Sequence, residues 1–592
     1  MPQRKPEAKR SVRANGDVAE RAATPAATQT DMTIAPDGHT VTVTVSVTIP
    51  GDGSTPAAAR LPLRKPGLRN HSTTDARAKQ MESIIRANGL AAVRAEHVIE
   101  CMPDHELFCT PMGEPFITMD VSGHQETWPV QSPRVRRIMR ACYRNVYDFH
   151  LPAARIDTAM RWMEADALTE PTETTFTRVG QCGDEIYLDL CNDAWQAIRI
   201  TPDGWQIVDQ CPVRFVRHSG MQVLPMPLAG GSIDQLRPLL NLPDDDAWIL
   251  IVSWIFGTLS PAGAYPLLVL SGEHDSAKSS ACRMARQVID PSATPLRSPP
   301  RDEEDLIVAA QRTHILGYDN LSTISPGLSD SLCRVATGGA LGARRRHKNR
   351  EEVVLSARRP IVLNGIGDDL VERDDLCSRC IMVRPPSIPK SRRLTERALR
   401  ARFSKIHPHV LGAFLNAAVT ALRRIGKVDA ADLPRMADFA TWVIAGEPAL
   451  PWKPGQFREA YERNISRLTA MRLEGNPLCR VLRALMQQTE GTWSGTAEEL
   501  YAELYGKVSS KMRQTKAWPA RPITLRGDLT RLAPSLRSIE GIDVQASASD
   551  DVLIITSWTS DPTARPELNG VGRTTTPRTG GSRRPGNTRD ER

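Results

Sequence analysis

The residues best suited to chemistry lie in one short segment between an apolar run and a helix-compatible run. Gly272 follows the apolar run Leu267–Leu270, and Lys278 and Ser279 stand just before the helix-compatible residues Ala281–Val288. A buried strand, a loop of this length and a helix N-terminus would turn backbone N–H groups toward an anion. Lys278 could then reach the outer phosphates of a nucleotide, and Ser279 could place its hydroxyl on Mg²⁺. We therefore predict a site for ATP and Mg²⁺ formed by Gly272, Glu273, His274, Asp275, Ser276, Ala277, Lys278, Ser279 and Ser280.

One residue in this segment departs from the common phosphate-loop pattern. The pattern is G-x-x-x-x-G-K-S, and Ala277 stands where the second glycine is usual. Glycine relaxes the backbone where phosphates approach closely, so Ala277 counts against this interpretation. A strand, turn and helix with a surface lysine would give the same segment, and the loop alone does not decide between the two.

Two later apolar runs also end in polar residues. Asp319 ends the run that begins at Thr313, and Asn364 ends the run that begins at Pro360. An aspartate at the carboxyl end of a neighbouring strand is where a phosphate-loop ATPase needs a ligand for Mg²⁺ or for its water. Asn364 could bond the γ-phosphate or the attacking water. The alternative for Asp319 is a strand-end residue that caps the next turn.

The residue after Asp319 is Asn320, which cannot act as a base but could orient a water. The sequence leaves open whether Glu303, Glu304 or Asp305 supplies the missing carboxylate.

A glycine-rich turn followed by a basic cluster lies between these two strands. Gly338 begins the turn, and the cations that follow would suit contact with a DNA backbone without base readout. A solvated charge run on a loop is the alternative. The predicted DNA-binding residues are Arg344, Arg345, Arg346, Lys348 and Arg350.

In this order the motifs resemble those of the superfamily 3 helicases, within the ring-forming AAA+ ATPases. More closely, they resemble the D5-like primase-helicase-type ATPases of phages and bacterial mobile elements. The family's first motif falls on Gly272–Ser279, its acidic strand on Asp319, and its basic hairpin on Gly338–Arg350. Its polar strand-end residue falls on Asn364, and its arginine finger on Arg379.

The resemblance implies a homo-hexameric ring in which Arg379 of one subunit completes the ATP site of the next. Lys278, Asp319, Asn364 and Arg379 would be the catalytic residues, and Ser279 and Asp319 the metal ligands. The basic hairpin would follow single-stranded or forked DNA, with a primase or replication initiator as a further partner.

Composition sets the broader limits. The chain has 592 residues and a net charge of +8, which fits several globular domains and is compatible with a nucleic-acid partner. Its 11 cysteines indicate reduced thiols in a cytoplasm, and we read Cys377 and Cys380 as small buried residues rather than as a zinc pair. The most apolar stretch, Trp248–Leu259, is too short to span a bilayer, so we expect a buried helix there and no membrane partner.

The predicted fold is an α/β phosphate-loop, AAA+-like core with an α+β N-terminal domain, a helical segment and a C-terminal winged-helix-like domain. Alternating Thr40–Ile49 should form an isolated strand, and Pro202-Asp203-Gly204 should turn a hairpin. Helical periodicity covers residues 75–98, and strands and short helices are expected over 115–230. A further helix is expected to start after a polar cap in the segment that begins at Trp493. The predicted divisions are a disordered tail (1–62), an accessory domain (63–230), the ATPase core (231–391), a helical segment (392–475), the winged-helix-like domain (476–560) and a second disordered tail (561–592).

Residues 63–230 offer no convincing site. The scattered polar residues there are read as surface or turn positions: His105, Glu106, His124, Asp184 and Glu185.

The favoured function is therefore an ATP-dependent DNA helicase or translocase acting in replication of a phage or integrated mobile element. Two alternatives remain: a DNA-binding regulator that binds ATP with little turnover, and a ring-assembly protein whose ATP site only stabilises the ring.

Overall fold

The structure is a computed structural model with no ligand, and its contacts divide the chain into two compact units. One unit comprises residues 1–105, 120–123 and 130–166, and the other comprises 106–119, 124–129 and 167–592. The described residues are 28–34, 40–47, 63–64, 79, 83, 95–147, 150–261, 263–344, 352–356, 358–371, 373–429, 431, 433–515, 518–546 and 552–557. The tail predicted at 561–592, most of the tail predicted at 1–62, and most of the helix predicted at 75–98 lie outside the described residues.

The first unit contains a small antiparallel sheet and helices. Its strands, in the order β1-β2-β3, are β1 (Thr28–Ile34), β2 (Thr40–Val47) and β3 (Leu63–Arg64). The strand predicted at Thr40–Ile49 is present, but it is not isolated, because β1 pairs along its length. The helices are α1 (Ala95–Ile99), α2 (Pro133–Tyr147) and α3 (Ala153–Ala167). The strands and helices expected over 115–230 are present, but α2 and α3 are longer than the short helices predicted there, with 15 residues each.

The second unit begins with short strands. A three-stranded sheet is formed by β4 (His105–Cys109), β5 (Pro115–Val121) and β6 (His124–Pro129). Further strands are β7 (Thr175–Phe176), β8 (Val179–Cys182), β9 (Glu185–Asp189), β10 (Ala197–Thr201), β11 (Gly204–Val208) and β12 (Arg214–Phe215). Strands β8 to β11 form an antiparallel sheet in which Thr201 pairs with Gly204, so the predicted turn at Pro202-Asp203 is confirmed.

A parallel sheet forms the middle of the second unit. It follows a 3-10 helix (Ile233–Leu239) and the buried helix α4 (Asp245–Gly257), which begins on the capping residue Asp244. Its elements are β13 (Leu267–Ser271), α5 (Lys278–Gln287), α6 (Glu303–Arg312), β14 (Leu316–Leu321), α7 (Pro326–Thr337), β15 (Ala340–Arg344), β16 (Glu352–Ser356), β17 (Ile361–Gly365), a 3-10 turn (Asp368–Val371), α8 (Asp374–Cys377) and β18 (Cys380–Val383). The four strands β14-β17-β13-β18 lie in that order and are all parallel. Antiparallel β15 and β16 form a separate hairpin.

Helices follow the sheet and pack against it. They are α9 (Glu396–Arg424), α10 (Ala437–Gly446) and α11 (Gln456–Gly475), with 3-10 turns at Lys390–Arg392, Ile425–Lys427 and Glu447–Ala449. One apolar core joins them to α4, to the parallel sheet and to strands β8 to β10. No helix in the described ranges is both long and apolar enough to cross a membrane.

The C-terminal elements enclose their own apolar core. They are α12 (Pro477–Gln488), β19 (Thr492–Thr496), α13 (Ala497–Gly506), α14 (Ser510–Arg513), α15 (Pro522–Glu540), β20 (Ile542–Ala546) and β21 (Val552–Ser557), with sheet order β19-β21-β20. The helix predicted after a polar cap in the segment that begins at Trp493 is confirmed, since α13 starts at Ala497 and Trp493 itself lies in β19. Thr496 caps α13 and Glu499 closes the capping box, which fixes the helix start.

Candidate functional site

The polar residues predicted from separate segments converge on one edge of the parallel sheet. Strands β13, β14 and β17 run in the same direction, so their carboxyl ends meet there. Lys278 and Ser279 follow β13 through a loop, Asp319 lies near the end of β14, and Asn364 lies near the end of β17. Ligands of open α/β sheets bind at this edge, outside the carboxyl ends of the strands.

The loop between β13 and α5 has an unusual backbone. Gly272 has φ +155°, and a Cβ at that position would lie 3.2 Å from the carbonyl oxygen of Pro385, which explains the glycine. Asp275 (φ 63°) and Ala277 (φ 60°, ψ 26°) both lie in the left-handed region. The position where the motif usually carries a second glycine therefore has the conformation that glycine prefers, and Ala277 adopts it at a cost.

Lys278 is folded into this loop. Its Nζ donates to the carbonyl oxygen of Gly272 at 2.8 Å, to that of Glu273, and to Ser276 Oγ at 3.2 Å. The side chain is largely buried, and burial lowers the pKa of Lys278. Binding of an anion next to this buried ammonium is favourable, because the anion compensates for the hydration that the ammonium loses on burial.

A chain of hydrogen bonds links the helix after the loop to the two neighbouring strands. Ser279 Oγ donates to Asp319 Oδ1 at 2.8 Å, and Asn364 Nδ2 donates to Ser279 Oγ at 3.4 Å. Asn364 is buried, and its Oδ1 accepts the backbone N–H of Asn320 at 3.1 Å. Three of the predicted site residues thus contact one another within a small volume.

Asn320 has φ 59°, beside a shift in the pairing register of β14 with β17. Among residues other than glycine, asparagine tolerates this conformation well. The structure therefore gives Asn320 a backbone role, as the donor that holds Asn364, which the sequence did not suggest.

Two further side chains at this edge were missed by the sequence reasoning. Arg283 NH2 lies 4.0 Å from Asp319 Oδ2, and Arg283 NH1 donates to Glu396 Oε1 at 3.2 Å at the start of α9. Arg283 follows Ser279 by four residues on α5, so the shared helix face was a signal that could have identified it. Nothing in the sequence could have identified Glu396.

The loop is also held from the segment that follows β18. Arg393 NH2 lies 3.1 Å from Asp275 Oδ2, and the backbone N–H of Ile388 donates to the carbonyl oxygen of Asp275 at 3.0 Å. From the other side, Asn241 Nδ2 donates to the carbonyl oxygen of Ser276 at 3.1 Å. These contacts support the strained loop from two separate parts of the chain.

Arg379 is not part of this cluster. Its carbonyl oxygen accepts the N–H of Leu267, the first residue of β13, so it lies at the amino end of the sheet, opposite the loop. Its guanidinium donates to the carbonyl oxygen of Asp375 at 2.8 Å. Arg379 therefore cannot reach the loop of its own chain. Its role as an arginine finger in the ATP site of a neighbouring subunit stays a prediction.

The basic cluster follows one strand of a hairpin. Arg344 ends β15 and pairs in register with Glu352 of β16. The other four predicted DNA-binding residues, Arg345, Arg346, Lys348 and Arg350, lie outside the described residues.

Two of the three acidic residues considered as the missing carboxylate, Glu303 and Asp305, form ion pairs with arginines outside the loop. Glu303 Oε2 lies 3.6 Å from Arg334 NH2 and accepts from Ser331 Oγ at 3.3 Å. Asp305 forms an ion pair with Arg301 at 2.8 Å. These contacts lie on α6, on α7 and in the turn before α6, and not in the loop between β13 and α5.

The donor set fits Mg²⁺ and a polyphosphate. Ser279 and Asp319 offer two adjacent oxygens. Mg²⁺ at nucleotide sites usually takes only one or two ligands from the protein, and phosphate oxygens and water supply the rest. Across the described ranges, no group of three or more His, Cys, Asp or Glu residues is placed to hold a metal by itself. Cys377 and Cys380 are buried, and none of the 11 cysteines, all of which lie within the described residues, forms a disulfide.

Two ranges of the chain match known protein families. Residues 233–450 match the family described as "Actinomycete integrative conjugative element replication protein", and residues 478–566 match the family described as "AICE RepA C-terminal domain". The chain carries both domains of these replication proteins. The cluster of Lys278, Ser279, Asp319 and Asn364 lies within the replication protein domain. The RepA C-terminal domain takes in α12 to α15 and the sheet β19-β21-β20.

Other comparisons are distant. None of the curated protein sequences compared with the chain matches it. Among solved structures, "The A form apo structure of NrS-1 C terminal region-CTR" has a TM-score of 0.33 and 9% identity, covering 76% of this chain and 96% of that one. "The apo structure of NrS-1 C terminal region (305-718)" has a TM-score of 0.31 and 11% identity, covering 77% and 96%. Likeness at this level does not define the fold or the activity of the RepA-type chain.

Proposed function

We propose that this replication protein is a phosphate-loop ATPase that uses ATP hydrolysis to move along or remodel DNA when its element replicates. The observation that carries the proposal is the 2.8 Å contact between Ser279 Oγ and Asp319 Oδ1 at the mouth of a loop that holds Lys278. Such a pair of oxygens beside a lysine is what Mg²⁺ and the outer phosphates of ATP require.

Each residue has a distinct task in this proposal. The backbone N–H groups of the loop and the first turn of α5 hold the phosphates, and Lys278 turns from its loop carbonyls to the outer phosphates. Ser279 and Asp319 hold Mg²⁺, which neutralises charge on the phosphate oxygens. Asn364 lies where its amide can orient the γ-phosphate or the attacking water.

The remaining parts require a second copy of the chain and a nucleic acid. Because Arg379 lies at the amino end of the sheet, it can complete an ATP site only in a neighbouring subunit, as in a ring. The basic run begins at Arg344, the last residue of β15, and by sequence its cations suit the phosphate backbone of a single strand.

The C-terminal domain supplies a second candidate DNA surface. We take this domain as a winged helix, and its order of helix, strand, two main helices and a β-hairpin supports that proposal. Arg526 and Arg531 lie on α15, the helix before the hairpin, whereas Arg537 pairs with Asp543 of β20. Use of the same fold for protein contacts is the alternative.

The test is steady-state ATP hydrolysis by the full chain, with and without single-stranded DNA. We expect turnover that rises with DNA and disappears in Lys278→Ala, while the exposed-lysine control Lys453→Ala behaves as the natural protein. A variant with Arg345, Arg346, Lys348 and Arg350 changed to Gln should keep basal hydrolysis and lose its stimulation by DNA. Hydrolysis that survives Lys278→Ala would refute the assignment of the site.

One observation favours a second function. Asn320 occupies the position after Asp319 where a base would be expected, and its backbone conformation serves Asn364. A DNA-binding regulator that binds ATP but turns it over slowly accounts for this. ATP binding without DNA-stimulated hydrolysis would select the regulator over the motor.

A further inference from the structure

A strongly basic surface lies at the start of α9 and in the segment just before it, and it has no role in the proposal above. Residues 390–405 contain seven arginines and lysines and one carboxylate, Glu396, so this segment has a net charge of +6. All seven cations are exposed to solvent. Positive charge concentrated in this way on a protein surface attracts an anionic partner.

Two of the seven cations already have a carboxylate partner. Arg393 NH2 lies 3.1 Å from Asp275 Oδ2, and Arg400 NH2 donates to Glu396 Oε1 at 2.7 Å. The other five form no ion pair with any residue in the described part of the chain, and we call them the α9 basic surface: Lys390, Arg392, Arg397, Arg402 and Lys405. Their charges therefore remain available to an external partner.

The helix holds three of these cations on its outer side. Phe403 and Val410 are buried on the inner side of α9, whereas Arg397, Arg402 and Lys405 are exposed. At ~1.5 Å of rise per residue, Arg397 and Lys405 lie ~12 Å apart along the helix axis. Because the phosphates of one DNA strand follow each other at ~3.4 Å along the duplex axis, this row spans about three to four base-pair steps.

The position of the cations is unfavourable for the helix itself. The N-terminus of a helix is the positive end of its dipole, where acidic side chains stabilise and basic side chains destabilise. Glu396 is the one acidic residue in the first turn of α9, and Arg397 follows it directly. Lys390 and Arg392 lie in the 3-10 turn just before the cap residue Thr395. A bound polyanion would offset this cost, because the dipole and the cations both favour negative charge there.

We propose that the α9 basic surface binds the phosphate backbone of double-stranded DNA, without regard to base sequence. Proteins that hold single strands combine cations with aromatic side chains on which the bases stack. Phe403 is the one aromatic residue of 390–405, and it is buried, so this surface has no stacking platform. A duplex keeps its bases paired and presents the phosphates of two strands, so cations alone can hold it.

This inference goes beyond the proposed function. The site is separate from the hairpin β15–β16 and from the C-terminal domain, its ligand is duplex rather than single-stranded DNA, and its binding requires no ATP. It can therefore be tested without nucleotide.

The test is fluorescence anisotropy of a labelled blunt-ended duplex, titrated with the full chain at several salt concentrations. In Arg397→Gln/Arg402→Gln we expect about tenfold weaker binding than in the natural protein. The slope of log affinity against log salt concentration should also become shallower by about 2, because up to two fewer counterions are released. Arg397→Lys/Arg402→Lys should bind as the natural protein does, since contact with a backbone requires the charge alone.

The matched control is Arg424→Gln/Lys427→Gln, which removes the same charge from exposed positions at and just beyond the other end of α9. Arg424 lies ~28 Å along the axis from Lys405, beyond the Debye length of ~10 Å, so duplex affinity should be nearly unchanged. An equal loss in both Gln variants would overturn the inference, because net charge would then explain it. Affinity for a single strand that falls as much as affinity for the duplex would also overturn it.

A second measurement requires no variant and covers the case in which Arg397→Gln/Arg402→Gln does not fold. Saturation of the natural protein with duplex should slow hydrogen exchange severalfold in peptides that cover 390–405, and leave peptides that cover 418–427 unchanged. Unchanged exchange over 390–405 would overturn the inference. Natural protein that binds duplex through this surface but does not hydrolyse ATP would refute the proposed function alone.

Discussion

Replacing Ala277 by glycine should strengthen the loop and the helix that follows it. Ala277 has φ 60° and ψ 26° and caps α5 without a side-chain hydrogen bond. An L-residue in this conformation costs ~1–2 kcal/mol, and glycine removes that cost. Glycine also increases the conformational entropy of the unfolded chain, which lowers the stability of the folded state by ~0.5–1 kcal/mol. The net gain is therefore about 0.5–1 kcal/mol, or about a two- to fivefold smaller population of the locally open state.

Hydrogen exchange of peptides that cover 278–287 in the full chain measures this directly. Ala281→Gly is the matched control, because Ala281 lies one turn further along α5 and is buried. That change should cost ~1 kcal/mol in helix propensity and ~0.8 kcal/mol for the lost methyl group, so exchange should speed up. The two substitutions should thus have opposite signs. Faster exchange in both would show that position 277 is not strained and would refute the reasoning.

Three further results are expected. Asp319→Ala should remove most of the Mg²⁺ dependence of ATP binding, measured by titration with and without the metal, and an unchanged dependence would contradict the Ser279–Asp319 site. Burial lowers the pKa of His314 and of His407 to about 4, so stability should fall as pH drops from ~6.5 toward 4, by up to ~1.4 kcal/mol per pH unit for each histidine. In the double variant His314→Gln/His407→Gln the melting temperature should fall less steeply with decreasing pH than in the natural protein. An equal slope would show that these histidines do not cause the acid destabilisation. Asn320→Glu should destabilise the strand end by ~1 kcal/mol without raising ATP turnover, because its backbone is left-handed; a rise in turnover would mean that this side chain can act as the base.

The sequence predicted the parts of the site that depend on local order. A glycine after an apolar run, a lysine and serine before a helix, and a polar residue at the end of each neighbouring strand are all local features. Once the strands are parallel, their carboxyl ends must share an edge, so Lys278, Asp319 and Asn364 were bound to approach each other.

The contacts that were missed depend on the packing of distant segments. Glu396 and Arg393 reach the site only because α9 begins beside the loop, and Asn241 reaches it because α4 packs next to β18. No periodicity or spacing encodes such placements. The helix start after Trp493, by contrast, could be predicted, because its signal is the local polar cap at Thr496.

Ala277 and Asn320, the two departures from the usual helicase-like pattern, have different physical consequences. Ala277 is strained at a position that suits glycine, so its effect should appear in the stability of the loop and in nucleotide affinity. Asn320 is relaxed at a position where glutamate would be strained, and its N–H holds Asn364. Its effect should therefore appear in the strand end that holds Asn364 and not in nucleotide binding. A motor and a slow regulator would both bind ATP through Lys278, so affinity cannot separate them, and only DNA-dependent turnover can.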